Sequence, residues 1–131
     1  SSSEAQAVSP ESATAEEYFA KIRLSRQESR DSAVEMLQET IVYEDGSESA
    51  SAAASSLDGI VSDALAESQI ESLIIAKGFA DCVAYMGDET IDIAVSAPAE
   101  GLADADVALI SDVVTAQSDY TLDQIRIIEV K

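Results

Sequence analysis

The chain has 131 residues and a formal net charge of -19, with 26 acidic residues, seven basic ones and no histidine. That length suits one domain plus a tail or arm, and the charge argues against nucleic acid, whose phosphates need a Lys/Arg surface, and against anionic lipid headgroups. No run approaches the ~18 apolar residues of a membrane-spanning helix, and the single cysteine, Cys82, has no partner for an internal disulfide.

Residues 1–13 (SSSEAQAVSPESA) carry no periodicity and read as a disordered linker. Thr14 and Glu17 have the spacing of a capping box. From there a helix is expected through residue 43, with Tyr18 and Ile22 on one face and Ala33, Leu37 and Ile41 continuing the i, i+4 spacing. Its middle, SRQESRDS, has no apolar residue. Yet residues 18–42 hold Lys21, Arg23, Arg26 and Arg30, four of the seven basic residues. A helix of that length spans ~45 Å at 1.5 Å per residue, against a radius of gyration of ~14 Å for a compact domain. The N-terminal part is therefore expected to project as an arm.

Residues 46–56 (GSESASAAASS) read as a spacer or as the frayed start of a second helix. That helix carries Leu57, Ile60, Val61, Ile70, Leu73 and Ile74 and stops at Gly78. Gly59 weakens it by about 1 kcal/mol relative to alanine. The period then changes to two. Residues 81–86 (DCVAYM) and 91–95 (IDIAV), joined by a turn at 87–90, predict a β-hairpin. A third helix over residues 104–117 and a last strand over 125–130 follow. The fold class is α+β: a long helical arm and a three-stranded sheet covered on one face by helices. The third strand is expected beside the first, antiparallel to it. The domain division is a linker at 1–13, an arm and spacer at 14–56, and the α+β domain at 57–131.

No catalytic set emerges. Without histidine, acid–base work falls to carboxylates, Lys, Tyr or Cys, and Cys82 lies in a predicted strand far from basic residues, as a buried thiol would. The acidic groups around Asp88 and Asp104 lack the loop spacing of a calcium-binding hand. No catalytic residue, cofactor or metal is assigned. Two surfaces are candidates for a partner or lateral interface. Arg23, Arg26 and Arg30 fall at i, i+3 and i+7 on one helix face, either paired within their own helix or free to meet an acidic surface, including that of another copy. The terminal strand, with Arg126 and Ile128, is either a charge-protected edge or an acceptor for a partner's strand. Reversing the three arginines to Glu is expected to weaken association and leave the melting temperature nearly unchanged.

In ordered combination, YFAKIRLSRQESRDSAVEMLQETI, ESLIIAKGFADCVAYMGDETIDIAVSA and ADVALISDVVTAQSDYTLDQIRIIEV resemble the stage III sporulation protein AH family. The resemblance implies a membrane-anchored protein of endospore formers, of which this is a soluble extracytoplasmic fragment in the space between mother cell and forespore. It implies binding to a stage II sporulation protein Q-like forespore protein in a channel-like complex. It also implies a ring-building motif of helix–strand–strand–helix–strand order, similar to that of type III secretion ring proteins, with self-association into a ring or larger assembly. The Ser/Ala-rich spacer and Ala103 at the start of the third helix depart from the family pattern. The alternative reading is a small acidic α+β module that binds a peptide or a metal ion.

Overall fold

The structure, a computed structural model, describes residues 14–131; the linker expected at residues 1–13 lies outside them. It holds α1 (Ala15–Tyr43), α2 (Glu48–Ala76), β1 (Cys82–Met86), β2 (Ile91–Ser96), α3 (Asp104–Gln117) and β3 (Ile125–Val130), the last preceded by a 3-10 turn at Leu122–Gln124. From α2 onward the order is helix, strand, strand, helix, strand, as expected. α1 begins after Thr14, at the expected position, but the capping box expected of Thr14 and Glu17 does not form: the Thr14 side chain makes no capping hydrogen bond to the helix.

Residues 46–56 are not a spacer. Gly46 takes φ +81, and Ser47 then caps α2, its Oγ accepting the Ala50 N–H at 3.0 Å. The alanine-rich run is helical because alanine loses the least on entering a helix, and Ala50 and Ala53 turn inward and are buried. The boundary drawn at residues 56 and 57 therefore falls inside one continuous helix. α2 ends where Gly78 takes φ +115 and its N–H reaches the Ile75 carbonyl. Ala103 offers no side-chain oxygen at the start of α3. The Asp106 carboxylate instead accepts the Ala103 N–H at 3.1 Å and supplies half of a capping box.

The hairpin forms in the register Cys82↔Val95 to Met86↔Ile91, closed by the Gly87 N–H on the Thr90 carbonyl at 2.8 Å. The placement of β3 differs from expectation. It lies beside β2 and parallel to it, from Ile91↔Ile125 to Ser96↔Val130, giving the order β1-β2-β3. A parallel neighbour needs a long crossover, and α3 is that crossover. The place beside β1 is taken by side chains from α1 and α2, as the next subsection details.

The helices also cover both faces of the sheet rather than one. On the first face, Ile70 and Ile74 of α2 and Ile110 and Val114 of α3 pack on Cys82, Ala84, Ile91, Ile93 and Val95. On the second, Phe19, with Ala15 and Ile22, packs on Val83, Ala94, Ile128 and Val130. The strands are apolar at both parities, so neither face is left to water alone.

α1 is thus anchored at its N-terminal end, where Phe19 is fully buried. Each long helix has 29 residues, about 43 Å, against roughly 20 Å for a six-residue strand. Half of each helix overhangs the sheet. The arm is a two-helix hairpin, and the end leading away from the sheet is the turn between Tyr43 and Ser47.

Candidate functional site

The inner stripe of α1 runs Phe19, Arg23, Arg26, Arg30, Ala33, Leu37, Thr40, none of it exposed. These steps of four and three residues are those of a helix pair whose seam faces a partner helix. The arginines stand at seam positions, and the partner is α2 of the same chain. Opposite them α2 places Glu67 and Glu71. Arg30 forks onto Glu67, its Nη1 and Nη2 donating to Oε1 and Oε2 at 2.5 and 2.6 Å. Arg26 Nη1 donates to Glu71 Oε2 at 2.7 Å and lies 3.4 Å from Glu67 Oε1. Arg23 Nη2 donates to Asp81 Oδ1 at 2.5 Å. Glu67 is 2% exposed. The Arg23 and Arg30 guanidiniums also stand over the rings of Phe19 and Tyr85, at 5.9 and 5.6 Å. Hydrogen bonding to Asp81 and to Glu67 raises the pKa of Arg23 and Arg30 respectively, against the opposing effect of burial.

The same groups close the outer edge of β1. The Ala84 N–H donates to Glu71 Oε2 at 2.8 Å and the Met86 N–H to Glu67 Oε2 at 2.7 Å. The Ala84 carbonyl accepts from Arg26 at 2.6 Å and the Cys82 carbonyl from Arg23 at 3.4 Å. The Cys82 N–H donates to Asp81 Oδ1 at 2.8 Å. Five backbone groups that an added strand would need are already bound to charged side chains. An edge protected in this way cannot template further pairing. The arginines expected to face another molecule are thus paired inside their own. The opposite edge of the sheet is β3, which pairs with β2 and, among the described residues, carries no strand on its outer side.

Arg126 and Ile128, assigned to the interface from sequence, lie on β3 and share the second face of the sheet. Arg126 is exposed, with Nε 3.5 Å from Asp92 Oδ1. Ile128 lines a groove of about 350 Å³ between α1 and the sheet, with Tyr18, Lys21, Ile22, Tyr85 and Ala94. A second hollow of about 200 Å³, reaching Val130 and Lys131, shares Tyr18 and Ile128 with it. The three helix arginines line neither hollow.

Sequence reasoning missed Glu67, Glu71 and Asp81. A signal for two of them was present: Glu67 and Glu71 sit four apart among Ile70 and Ile74, on the buried side of an otherwise apolar stripe. Cys82 is buried, as expected, and desolvation, helped by Glu71 and Asp81, pushes its thiol up to about 12. Such a thiol is protonated at neutral pH and is no nucleophile. Among the described residues, no group of three His, Cys, Asp or Glu stands together as a metal site, and no helix is long and apolar enough to cross a membrane.

A family model described as SpoIIIAH-like protein matches residues 1–127. The fold is similar to a chain of a solved structure, that of the SpoIIQ–SpoIIIAH pore-forming complex, with a TM-score of 0.75 at 18% identity, covering 86% of this chain and 96% of that one. No curated protein matches.

Proposed function

The chain belongs to the SpoIIIAH-like protein family, and from that premise we propose that it is a non-enzymatic structural component of the channel complex between mother cell and forespore. It works by binding a SpoIIQ-like protein of the forespore and by associating laterally with its own kind. In this reading the described region stands in the space between the two membranes, held there by an anchor in the mother-cell membrane.

The observation that carries the proposal is the fold's likeness, over nearly its whole length, to a chain of a pore-forming complex. The asymmetry of the sheet supports it. One edge is closed by five side-chain hydrogen bonds, so strand addition is directed to β3 alone. Beside that edge lies an apolar groove lined by Ile128, which this reading leaves to contact between copies while the edge takes the forespore partner. Assembly surfaces combine an apolar centre with a polar rim, and Arg126 and Lys131 supply such a rim. The buried, protonated Cys82 agrees with a role that needs no nucleophile.

The test is a binding measurement between this chain and the SpoIIQ-like protein of the same organism, by affinity capture and titration. Saturable binding is expected. An Arg126→Glu variant, at an exposed side chain of the β3 edge strand and outside the packed Ile128 cluster, should bind at least tenfold more weakly while keeping the parent's circular dichroism. Absence of saturable binding at high micromolar concentration overturns the reading.

A further inference from the structure

Internal pairing of Arg23, Arg26 and Arg30 leaves four basic residues: Lys21, Lys77, Arg126 and Lys131. Three of these surround the second sheet face. Lys21 lines the larger hollow and Lys131 the smaller, while Arg126 reaches Asp92 at the larger one. Against them stand Asp92 and Glu129. On a chain of net charge -19, this face stands apart in setting three cations against two acids over an apolar floor.

The far end of the α1–α2 hairpin has the opposite character. Residues 31–76 contain no Lys or Arg. Glu35, Glu39, Glu44, Asp45 and Glu48 cluster about the turn. Among them Met36, Val42 and Tyr43 are 67%, 69% and 83% exposed. Tyr43 stands about 42 Å along the helix from its start and, with Met36 seven residues earlier on the same face, makes this end of the hairpin apolar as well as acidic. The two surfaces complement each other in charge and are both apolar at the centre. They cannot meet in one molecule, because about 32 Å of helix separates Ile22 from Tyr43.

We propose that the acidic, apolar tip of the hairpin of one copy docks in the cation-rimmed groove of a second copy, with Tyr43 and Met36 seated against Tyr18, Ile22 and Ile128. The contact deepens the lateral association proposed above and rests on it. It is heterologous: each copy offers a tip and a groove, so the rotation between neighbours closes a ring or extends a filament. Local concentration favours it, since tethering raises the effective molarity of a weak contact.

The test displays the full chain on lipid vesicles through an N-terminal His tag. Energy transfer between donor- and acceptor-labelled copies, labelled at Ala116→Cys on α3, reports self-association of any kind. The contact itself is read by disulfide trapping between Asp45→Cys at the tip and Ser25→Cys beside the groove, with native Cys82 buried and silent. Chains carrying both cysteines should form a ladder of multimers. A mixture of the two single-cysteine chains should stop at dimers. Asp45→Cys paired with Ala116→Cys should give neither. Met36→Ser with Tyr43→Ser should cut trapping at least fivefold, and so should Lys21→Glu with Lys131→Glu. If energy transfer persists but trapping between residues 45 and 25 does not exceed the control, the contact is refuted while self-association survives. Absence of both signals overturns the two together.

Discussion

At the scale of the residue, Glu67 does the most. It is a carboxylate with 2% exposure, bound to Arg30 by two hydrogen bonds and to the Met86 N–H by a third. Removing one partner of a buried pair leaves an uncompensated charge and costs about 3–5 kcal/mol. Glu67→Ala should therefore lose that much in denaturant unfolding, whereas Glu39→Ala, on the exposed helix face, should stay within about 0.5 kcal/mol. Replacing both members, Arg30→Met with Glu67→Met, should recover about half of the loss. The remainder is the orphaned Met86 N–H, about 1–3 kcal/mol. If the double variant is no better than Glu67→Ala, the arginine is not the group left stranded. Cys82 sets a second expectation. Its thiol ionises at about 12 in the folded chain against an ordinary 9.0, so between those values the unfolded state holds fewer protons and stability falls with rising pH. Below pH 9 the stabilisation is fully present; between 9 and 12 it declines by about 1.4 kcal/mol per pH unit. Tyr120, raised mainly by desolvation, adds to the decline at the upper end. Melting curves from pH 8 to 11 should show it, and Cys82→Ala should flatten it.

At the scale of the element, the arginine segment shows what sequence alone carries. The Gly78 stop, the hairpin and its turn follow from local chemistry, since Gly78 and the period-two run at residues 91–95 act on their own neighbours; the start of α2 at Ser47 is masked by a small, polar run that reads equally as a spacer. The stripe of Arg23, Arg26 and Arg30 was equally visible, but its partners lie 58, 45 and 37 residues away. A pattern within one helix cannot say whether its counterpart belongs to the same chain. The order of the sheet was hidden for the same reason. Local pattern allows β3 on either side of the hairpin, and the choice is made by Glu67, Glu71 and Arg26 occupying the edge of β1. Nor did alternation mark one sheet face as solvent, because Val83, Ala94 and Ile128 are apolar too. The expectation that charge reversal spares stability is therefore itself reversed. Arg23→Glu, Arg26→Glu and Arg30→Glu together place acids against Glu67, Glu71 and Asp81 and strip donors from the Cys82 and Ala84 carbonyls. The triple variant should be unfolded or nearly so at 25 °C by circular dichroism. Reversing Glu67, Glu71 and Asp81 to Lys in the same chain should recover helical signal, since the swap restores opposite charges across the seam. The Cys82, Ala84 and Met86 N–H groups still lose their acceptors, so recovery should be partial. A triple variant that melts like the parent would falsify the structural role given to these ion pairs.

At the scale of the whole molecule, two electrostatic effects oppose each other, and salt tells them apart. The ladder of ion pairs between α1 and α2 is attractive, and screening it lowers stability. The net charge of -19 is repulsive, and screening it raises stability. The ladder is shielded: Arg26, Arg30, Glu67 and Glu71 side chains are each less than a fifth exposed, and pairs so placed respond weakly to ionic strength. The unpaired acids are spread over the surface, and residues 31–76 have no cation among them, so the arm repels itself along its length. At 0.01 M salt the Debye length is about 30 Å, most of the length of the arm, and at 0.15 M about 8 Å. The repulsive term should dominate. The melting temperature should climb by about 3–6 °C over that range, equivalent to roughly 1 kcal/mol for a domain of this size. Further salt should add less, because the repulsion acting along the length of the arm is by then already screened. Association through the cationic groove should move the other way, weakening as salt rises. One salt titration read by calorimetry and by energy transfer on vesicles thus separates the two. A melting temperature that falls with salt would place the weight of stability on exposed ion pairs instead, and the sealed edge of β1 would then have to be far more open to water than its side chains are.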